Sequence, residues 1–548
     1  MQPTLDEQLE AALRLHREGR LEEAMKLYRG ILDQDPDDVD ALHLLGAVVA
    51  QQGDAKAGLE LIDRAITLDP ACADFHNNRG LILAGLGRVD EAIADHRRAI
   101  ELNADFAEAH NNLGNALVRT GQVAEAEAAF RRTLDLRPDY ANAHSNLGVV
   151  LHRQDKFDQA IAAYRAALRL SPRHAEAQSN LGAALREIGE VNKAIDAYRA
   201  AIAIDDTCAD AHANLGGALH DLGYFDEAVA SLERAIQLNP QLSFPHYNLA
   251  LALLRDGNYE RGLLEFEYRA HAVAARHRFA TPMWDGKDLW SKRILLHGEG
   301  GFGDVIQFAR FIPMVKARGG IPILQVQPEL VRLFSTLDGG AVVVPKTEDP
   351  PPFDFHCPLL SLPRIFHMTV NCIPWKPYLS ADPSASALWS AKLGHDKRHK
   401  IGLAWAGNPK NRNDRTRSIP IGFLTPLAEI ADARFVNLQQ DQPGVRPPGM
   451  ELLDWCEDLH DFADTAGLIE NLDLVISVDT AAAHLAGAMG KRVYLLLPHV
   501  SHWRWLRDRD DSPWYPTARL FRQPGAGDWA SVVADVADAL KSEFSSPR

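Results

Sequence analysis

Small residues recur along the first half of the chain at a fixed spacing of 34. Gly46, Gly80, Gly114, Gly148, Gly182 and Gly216 mark the phase, with Ala12 before them and Ala250 after, which makes eight units. Most units carry Leu just before the glycine and Ala twelve residues after it (Ala24, Ala92, Ala126, Ala160, Ala194, Ala228). A bulky side chain follows (Tyr28, Phe130, Tyr164, Tyr198, Phe266), and Pro36, Pro70, Pro138, Pro172 and Pro240 close many of them. A small residue on one helix opposite a large one on the next is the pattern of helix pairs that bury their faces only by stacking. It predicts an all-α superhelix over residues 1–272, with a concave groove suited to an extended partner segment.

Beyond Ala272 this period stops, and residues 273–291 read as a connector. Short apolar runs then alternate with helical stretches. Strands are expected at Ile294–Leu296, Ile323–Val326 and Ala341–Val344, with one helix from Asp304 to Arg318 and then a proline-rich passage. A polar segment from Ser380 to Lys400 separates these from further strands at Ile401–Trp405, Phe435–Leu438, Leu474–Val478 and Val493–Leu497. The alternation predicts two Rossmann-like α/β lobes, 292–392 and 393–548, with a cleft between them.

Candidate chemistry lies at the strand ends, where open α/β sheets bind ligands. After the first strand, Gly300, Gly301 and Gly303 let backbone approach a ligand, and Asp304 opens the following helix. After Ile401–Trp405 come Asn408, Lys410, Arg412, Arg415 and Arg417, a cluster suited to phosphate or simply to solvent. Gln439 ends the next strand. After Leu474–Val478 stand Asp479, Thr480, Ala481 and His484, as a helix cap, a ligand site or both. Asp508 and Asp510 have the D-x-D spacing of a divalent-metal site, but the segment His502–Pro516 reads as a charged loop, so no metal is expected.

The array carries a ladder of its own. Asn78, Asn112, Asn146, Asn180, Asn214 and Asn248 stand two residues before Gly80, Gly114, Gly148, Gly182, Gly216 and Ala250. Asparagine is a poor helix former, so six at one phase imply a use: gripping the backbone of a bound peptide, or tying helix pairs together. His76, His110, His144, His212 and His246 are too widely spaced for a metal site and are expected to pack.

A net charge of −16 over 548 residues argues against general nucleic-acid binding. The five cysteines lie far apart, without a CxxC, and read as reduced packing residues. No signal peptide or 18-residue apolar run is present, so no membrane span is expected and the cytoplasm is the expected compartment.

The repeat frame resembles the tetratricopeptide repeat. Gly303-Asp304-Val305-Ile306, Arg417-Ser418-Ile419-Pro420 and Asp479-Thr480-Ala481-Ala482-Ala483-His484 resemble motifs of the ADP-heptose:lipopolysaccharide heptosyltransferase family of B-type (GT-B) glycosyltransferases, over roughly residues 290 to 541. That resemblance implies Asp304 as catalytic base and Asp479, Thr480 and His484 beside the nucleotide diphosphate. It puts Arg417, where the family commonly has Lys, on the sugar-phosphate. The domain order is similar to O-linked N-acetylglucosamine transferase and to bacterial flagellin glycosyltransferases. The implied fold is a tetratricopeptide superhelix followed by a two-lobed GT-B domain. The implied reaction takes a sugar from a nucleotide-sugar substrate, without cofactor or metal, to a protein acceptor such as flagellin. A lipid-linked glycan acceptor and an inactive scaffold are the alternatives; the donor sugar and the oligomeric state stay open.

Overall fold

The computed structural model describes residues 4–269, 279–337, 339–409, 414–440, 442 and 444–544. It divides into two compact units, Met1–Ala218 and Leu219–Arg548.

The first unit is all-helical, built from alternating helices of 13 and 14 residues that begin with Leu5–Arg17 and Leu21–Gln34. The reason for the phase glycines is steric. A Cβ on Gly114 would lie 2.6 Å from the Phe130 ring and one on Gly148 2.5 Å from Tyr164; at Gly80 the obstacle is His96, at 2.7 Å. A second glycine ladder turns each pair. Gly19, Gly53, Gly87, Gly121 and Gly189 have positive φ, and Asp155 fills the same place at φ 59°. The ladder histidines tie the turns between units: the Nε2 atoms of His76, His110, His144 and His212 lie 2.9–3.2 Å from the carbonyl oxygen six residues back. That bond, rather than apolar packing, accounts for their recurrence.

The second unit begins in the repeats. Helices Phe225–Leu238, Ser243–Arg255 and Tyr259–Glu265 belong to it together with both sheets. The first sheet has the order β3-β2-β1-β4, with β1 Arg293–His297, β2 Ile321–Val326, β3 Val342–Pro345 and β4 Phe355–Pro358. The second runs β10-β9-β8-β5-β6-β7, with β5 His399–Ala404, β6 Ala433–Asn437, β7 Leu452–Leu453, β8 Leu474–Val478, β9 Val493–Leu497 and β10 Ala518–Arg522. All pairings between these strands are parallel. Taken from its first strand, the second sheet has the doubly wound order 3-2-1-4-5-6, whose switch point falls between β5 and β8. In the first sheet the order reverses between β1 and β4.

Several expectations are corrected. The helix expected from Asp304 to Arg318 is two, Phe302–Phe308 and Ile312–Ala317, joined by a 3-10 turn. Pro313 lacks an N–H to continue the first helix and starts the second. The polar separator contains the helix Pro383–Leu393, whose Trp389 is buried. The segment His502–Pro516 is no solvated loop: Trp503, Trp505, Trp514 and Tyr515 are each at most 3% exposed. There the last repeats meet the second lobe, with the Trp514 indole N–H donating to Tyr259 Oη at 3.1 Å and Trp503 standing edge-on to Tyr259. Cys357 is buried but Cys372 is exposed, so not every cysteine packs. Among the described residues no helix is long and apolar enough to cross a membrane.

Candidate active site

The loop after β1 is anchored from behind. Glu299, the one acid among its glycines, turns away from the cleft to Arg269 at the end of the repeats, whose Nε and Nη2 lie 2.9 and 2.8 Å from Glu299 Oε2. Arg269 also donates to Glu267 and to Ser361 Oγ, and all three charged groups are about 95% buried. Charge compensation inside a dry interior fixes the loop from the protein side.

In front of this anchor the glycines leave room. Gly300 has φ +65°, and a Cβ there would strike the Asp304 carboxylate at 2.3 Å, whereas one on Gly301 would meet nothing within 4 Å. Gly303 sits against the His484 ring, 2.7 Å from where its Cβ would be, so this glycine serves the contact between the lobes. Asp304 stands in the first turn of a helix that starts two residues earlier than expected. Its Oδ2 accepts the Gly301 N–H at 3.1 Å, and its Oδ1 is paired with Arg504 Nη2 from the second lobe. Asp304 keeps 24% of its side chain exposed; Arg504 keeps 8%.

At the switch point of the second sheet, Arg417 bridges the ends of β5 and β8. Its Nε meets Asp414 Oδ1 at 3.0 Å and its Nη1 donates to the Asp479 carbonyl at 3.1 Å. Asp414 also accepts from Ser418 Oγ, which in turn accepts the Gly407 N–H, so the basic turn closes on itself. Gln439 braces the same place from β6, its Oε1 accepting the Trp405 and Ala406 N–H groups. Asn408 and Arg415 are exposed; Lys410 and Arg412 lie outside the described residues.

Beyond β8 the side chains of Asp479 and His484 face inward. Asp479 Oδ1 lies 3.2 Å from His484 Nε2, its Oδ2 accepts the Trp505 indole N–H at 3.0 Å, and His484 Nδ1 lies 3.0 Å from Tyr515 Oη. Burial penalises the Asp479 charge, yet the His484 bond and the Arg504 charge outweigh that and hold its carboxyl well below the usual range. Burial lowers His484 as well, and it takes His502 down to about 3 with help from the Arg504 charge. Both imidazoles are therefore neutral near pH 7. Thr480 occupies the N-cap of the helix Ala481–Ala488 without a side-chain capping bond; its hydroxyl instead lies 2.9 Å from Ser477 Oγ. The first N–H groups of that helix, Ala481 among them, receive no side-chain cap, an arrangement suited to an anion.

Asn78, Asn112, Asn146, Asn180, Asn214 and Asn248 are all half-buried. Asn112 and Asn146 donate to Asn77 and Asn111 of the preceding unit at 3.0 and 3.3 Å, and the Asn78 amide nitrogen lies 2.5 Å from His43 Nε2. The Asn248 amide nitrogen is buried without a partner. The sequence reading missed Arg504, Trp505, Tyr515 and the Arg269–Glu299 pair. Trp503-Arg504-Trp505 carried a usable signal, since two tryptophans around one cation are seldom a solvated turn.

Comparison with known proteins separates the two halves. Tetratricopeptide repeat models match residues 15–80, 105–173 and 139–207, and a TPR repeat model matches 82–121 and 216–257. The first half carries tetratricopeptide repeats. Protein FlbA of Caulobacter vibrioides is 29% identical over 324 residues, 52% of this chain and 53% of its own. The chain thus spans about half the length of the curated relative it matches. Among solved structures, YrrB, described as a TPR protein with an unusual peptide-binding site, is 24% identical, with 34% of this chain and 96% of YrrB covered and a TM-score of 0.30. The Cut9–Hcn1 structure is 19% identical, with 50% and 55% covered and a TM-score of 0.40. The tetratricopeptide array thus precedes an α/β region built on two parallel sheets.

Proposed function

We propose that the chain is an inverting glycosyltransferase of the GT-B type that acts in the cytoplasm and moves a sugar from a nucleotide-sugar donor to a Ser or Thr hydroxyl of a protein held by the tetratricopeptide array. One observation carries the reading. Asp304, on the glycine loop of one sheet, meets Arg504 from the other lobe, beside Arg417, Asp479 and His484 at the carboxyl ends of the second sheet. A carboxylate facing cations across a cleft is what a displacement with an anionic leaving group needs.

In the proposed reaction the acceptor hydroxyl oxygen attacks the anomeric carbon from the face opposite the nucleotide. The bond from that carbon to the phosphate oxygen breaks, its electron pair leaves on the diphosphate, and the hydroxyl proton passes to Asp304. Gly301 leaves open space for the donor, while Gly300 and Gly303 lie against Asp304 and His484. Arg417, with the Thr480–Ala481 helix start, receives the diphosphate charge, so the step requires no metal. The donor-binding role expected of Asn408, Lys410, Arg412 and Gln439 is part of this proposal. The asparagine ladder grips the acceptor main chain: the bonds within the array use the Asn112 and Asn146 amide nitrogens and leave their carbonyl oxygens uncommitted. Flagellin is the acceptor that the domain order suggests.

Intact-mass measurement of flagellin and other acceptors co-expressed with the protein tests this directly, because the added mass names the sugar class. An increment that disappears in Asp304→Asn and persists in excess EDTA is expected. Transfer to a lipid-linked glycan with no protein modified would overturn the acceptor assignment.

A further inference from the structure

We infer that Arg504 is a donor-responsive latch on the base: in the empty site it holds Asp304, and the diphosphate of an arriving nucleotide sugar draws it away. The inference rests on the transferase reading and deepens it. Both oxygens of the Asp304 carboxylate are engaged, Oδ2 by the Gly301 N–H and Oδ1 by Arg504. A general base needs a lone pair aimed at the acceptor hydroxyl, within hydrogen-bond reach. Oδ2 belongs to the helix start, so Oδ1 is the oxygen that can turn over, and it is the one the guanidinium occupies.

Arg504 is built to move where Arg417 is not. Arg417 is committed on two sides, to Asp414 and to the Asp479 carbonyl. Among the described residues Asp304 is the one acid that Arg504 pairs with, and the Arg504 Nε is buried without a partner, so the guanidinium retains bonding capacity that a second anion can use. Its neighbours in the chain, Trp503 and Trp505, are buried, and Trp505 is pinned to Asp479. The backbone is therefore fixed and only the guanidinium swings, across the Phe308 and Trp503 rings it already overlies at 5.6 and 5.7 Å. A diphosphate offers more charge and more acceptor oxygens than one carboxylate, in a site that excludes water. Donor must then bind before acceptor, and the free enzyme keeps its base masked.

The latch predicts opposite signs for its two ends. Binding of UDP, ADP and GDP, with the matching monophosphates, is measured by calorimetry on the full chain and on Asp304→Asn, Arg504→Lys and Arg504→Gln. Arg504→Gln should weaken the preferred diphosphate about 10- to 100-fold, as for a lost charged hydrogen bond, with Arg504→Lys in between. Asp304→Asn should tighten it about 3- to 10-fold, because the guanidinium loses its competing partner. Monophosphates should respond less to either change. Arg504→Gln disturbs a buried position and Asp304→Asn also relieves direct repulsion of an anion, so the latch requires the Asp304→Asn gain to shrink when Arg504→Gln is already present; an undiminished gain in the double variant would mean charge repulsion alone. An Asp304→Asn affinity that is unchanged or weaker overturns the latch while parental nucleotide binding leaves the transferase reading standing. A parent protein that binds none of the nucleotides overturns both.

Discussion

Polar bonds in the repeat array and in the cleft differ in what they join. In the array, Asn112 and Asn146 reach back 35 residues to Asn77 and Asn111, and all five ladder histidines reach back six. These bonds recur at one offset from unit to unit. Around the candidate site, Arg269 spans 30 residues to Glu299 behind the loop, Arg417 spans 62 to Asp479 and Arg504 spans 200 to Asp304. Each joins a charge that occurs once to a group that occurs once. Loss of a single rung leaves its neighbours to hold the array. Loss of a single partner around the candidate site leaves a charge without its counterpart.

The sharpest break in that contrast is Asp304→Asn. The exchange scarcely changes volume, so the fold should persist while transfer falls about 100- to 10,000-fold in a single-turnover assay; parental turnover would reduce Asp304 to a helix cap. Next comes the ladder. Replacing Asn112, Asn146, Asn180 and Asn214 together by Ala should raise the dissociation constant of the protein acceptor, by on the order of 1 kcal/mol per rung, and leave donor hydrolysis untouched. Acceptor affinity equal to the parent's in a folded variant would confine the asparagines to tying units.

A smaller effect exposes titration inside the array. His96 occupies the place that Phe130 and Tyr164 fill in later units, and burial lowers its pKa from 6.5 to about 4. Between those values the unfolded chain binds a proton that the native state refuses, so stability falls as pH drops from 6.5 towards 4. From pH 7 to 5 His96→Phe should lose about 2 kcal/mol less than the parent in urea unfolding. Equal losses would show that the native state accommodates the charged ring. Smallest of all, Asp155→Gly relieves a left-handed residue at the one turn of the first unit that lacks the period's glycine. A gain of about 0.5–1 kcal/mol is expected from the same unfolding curves; no gain would mean that Asp155 sits there without strain.

These contrasts also explain what could be read beforehand. Periodicity placed the helix pairs because each contact is repeated at one offset. β8 and β9 were placed to the residue, and both are buried along their whole length, which leaves an unbroken apolar run. β4 hides between prolines at 350–352 and 358, and in the edge strand β10 Arg519 and Arg522 leave an apolar run of only two residues, so neither leaves that trace. Of the candidate site, Asp304, Arg417, Asp479 and His484 stand out because they follow strands. Arg504 does not, because a pairing across 200 residues has no spacing to detect. The same holds for Glu299, whose place in a glycine loop suggests a ligand while its side chain serves Arg269 behind it.

The joint between the last repeats and the second lobe bears on how the molecule can be dissected. The 34-residue period ends near Ala272, and that is where an expression boundary would ordinarily be drawn. A fragment starting there would lose Tyr259 from the Trp503 and Trp514 rings and strip Glu299 of Arg269. Its product would carry an uncovered aromatic surface and an interior acid deprived of its counter-charge, both of which favour aggregation. A truncation series starting near Leu219 retains those partners, so the shortest folded piece that holds both sheets should include nearly two helix pairs that the sequence assigns to the other half.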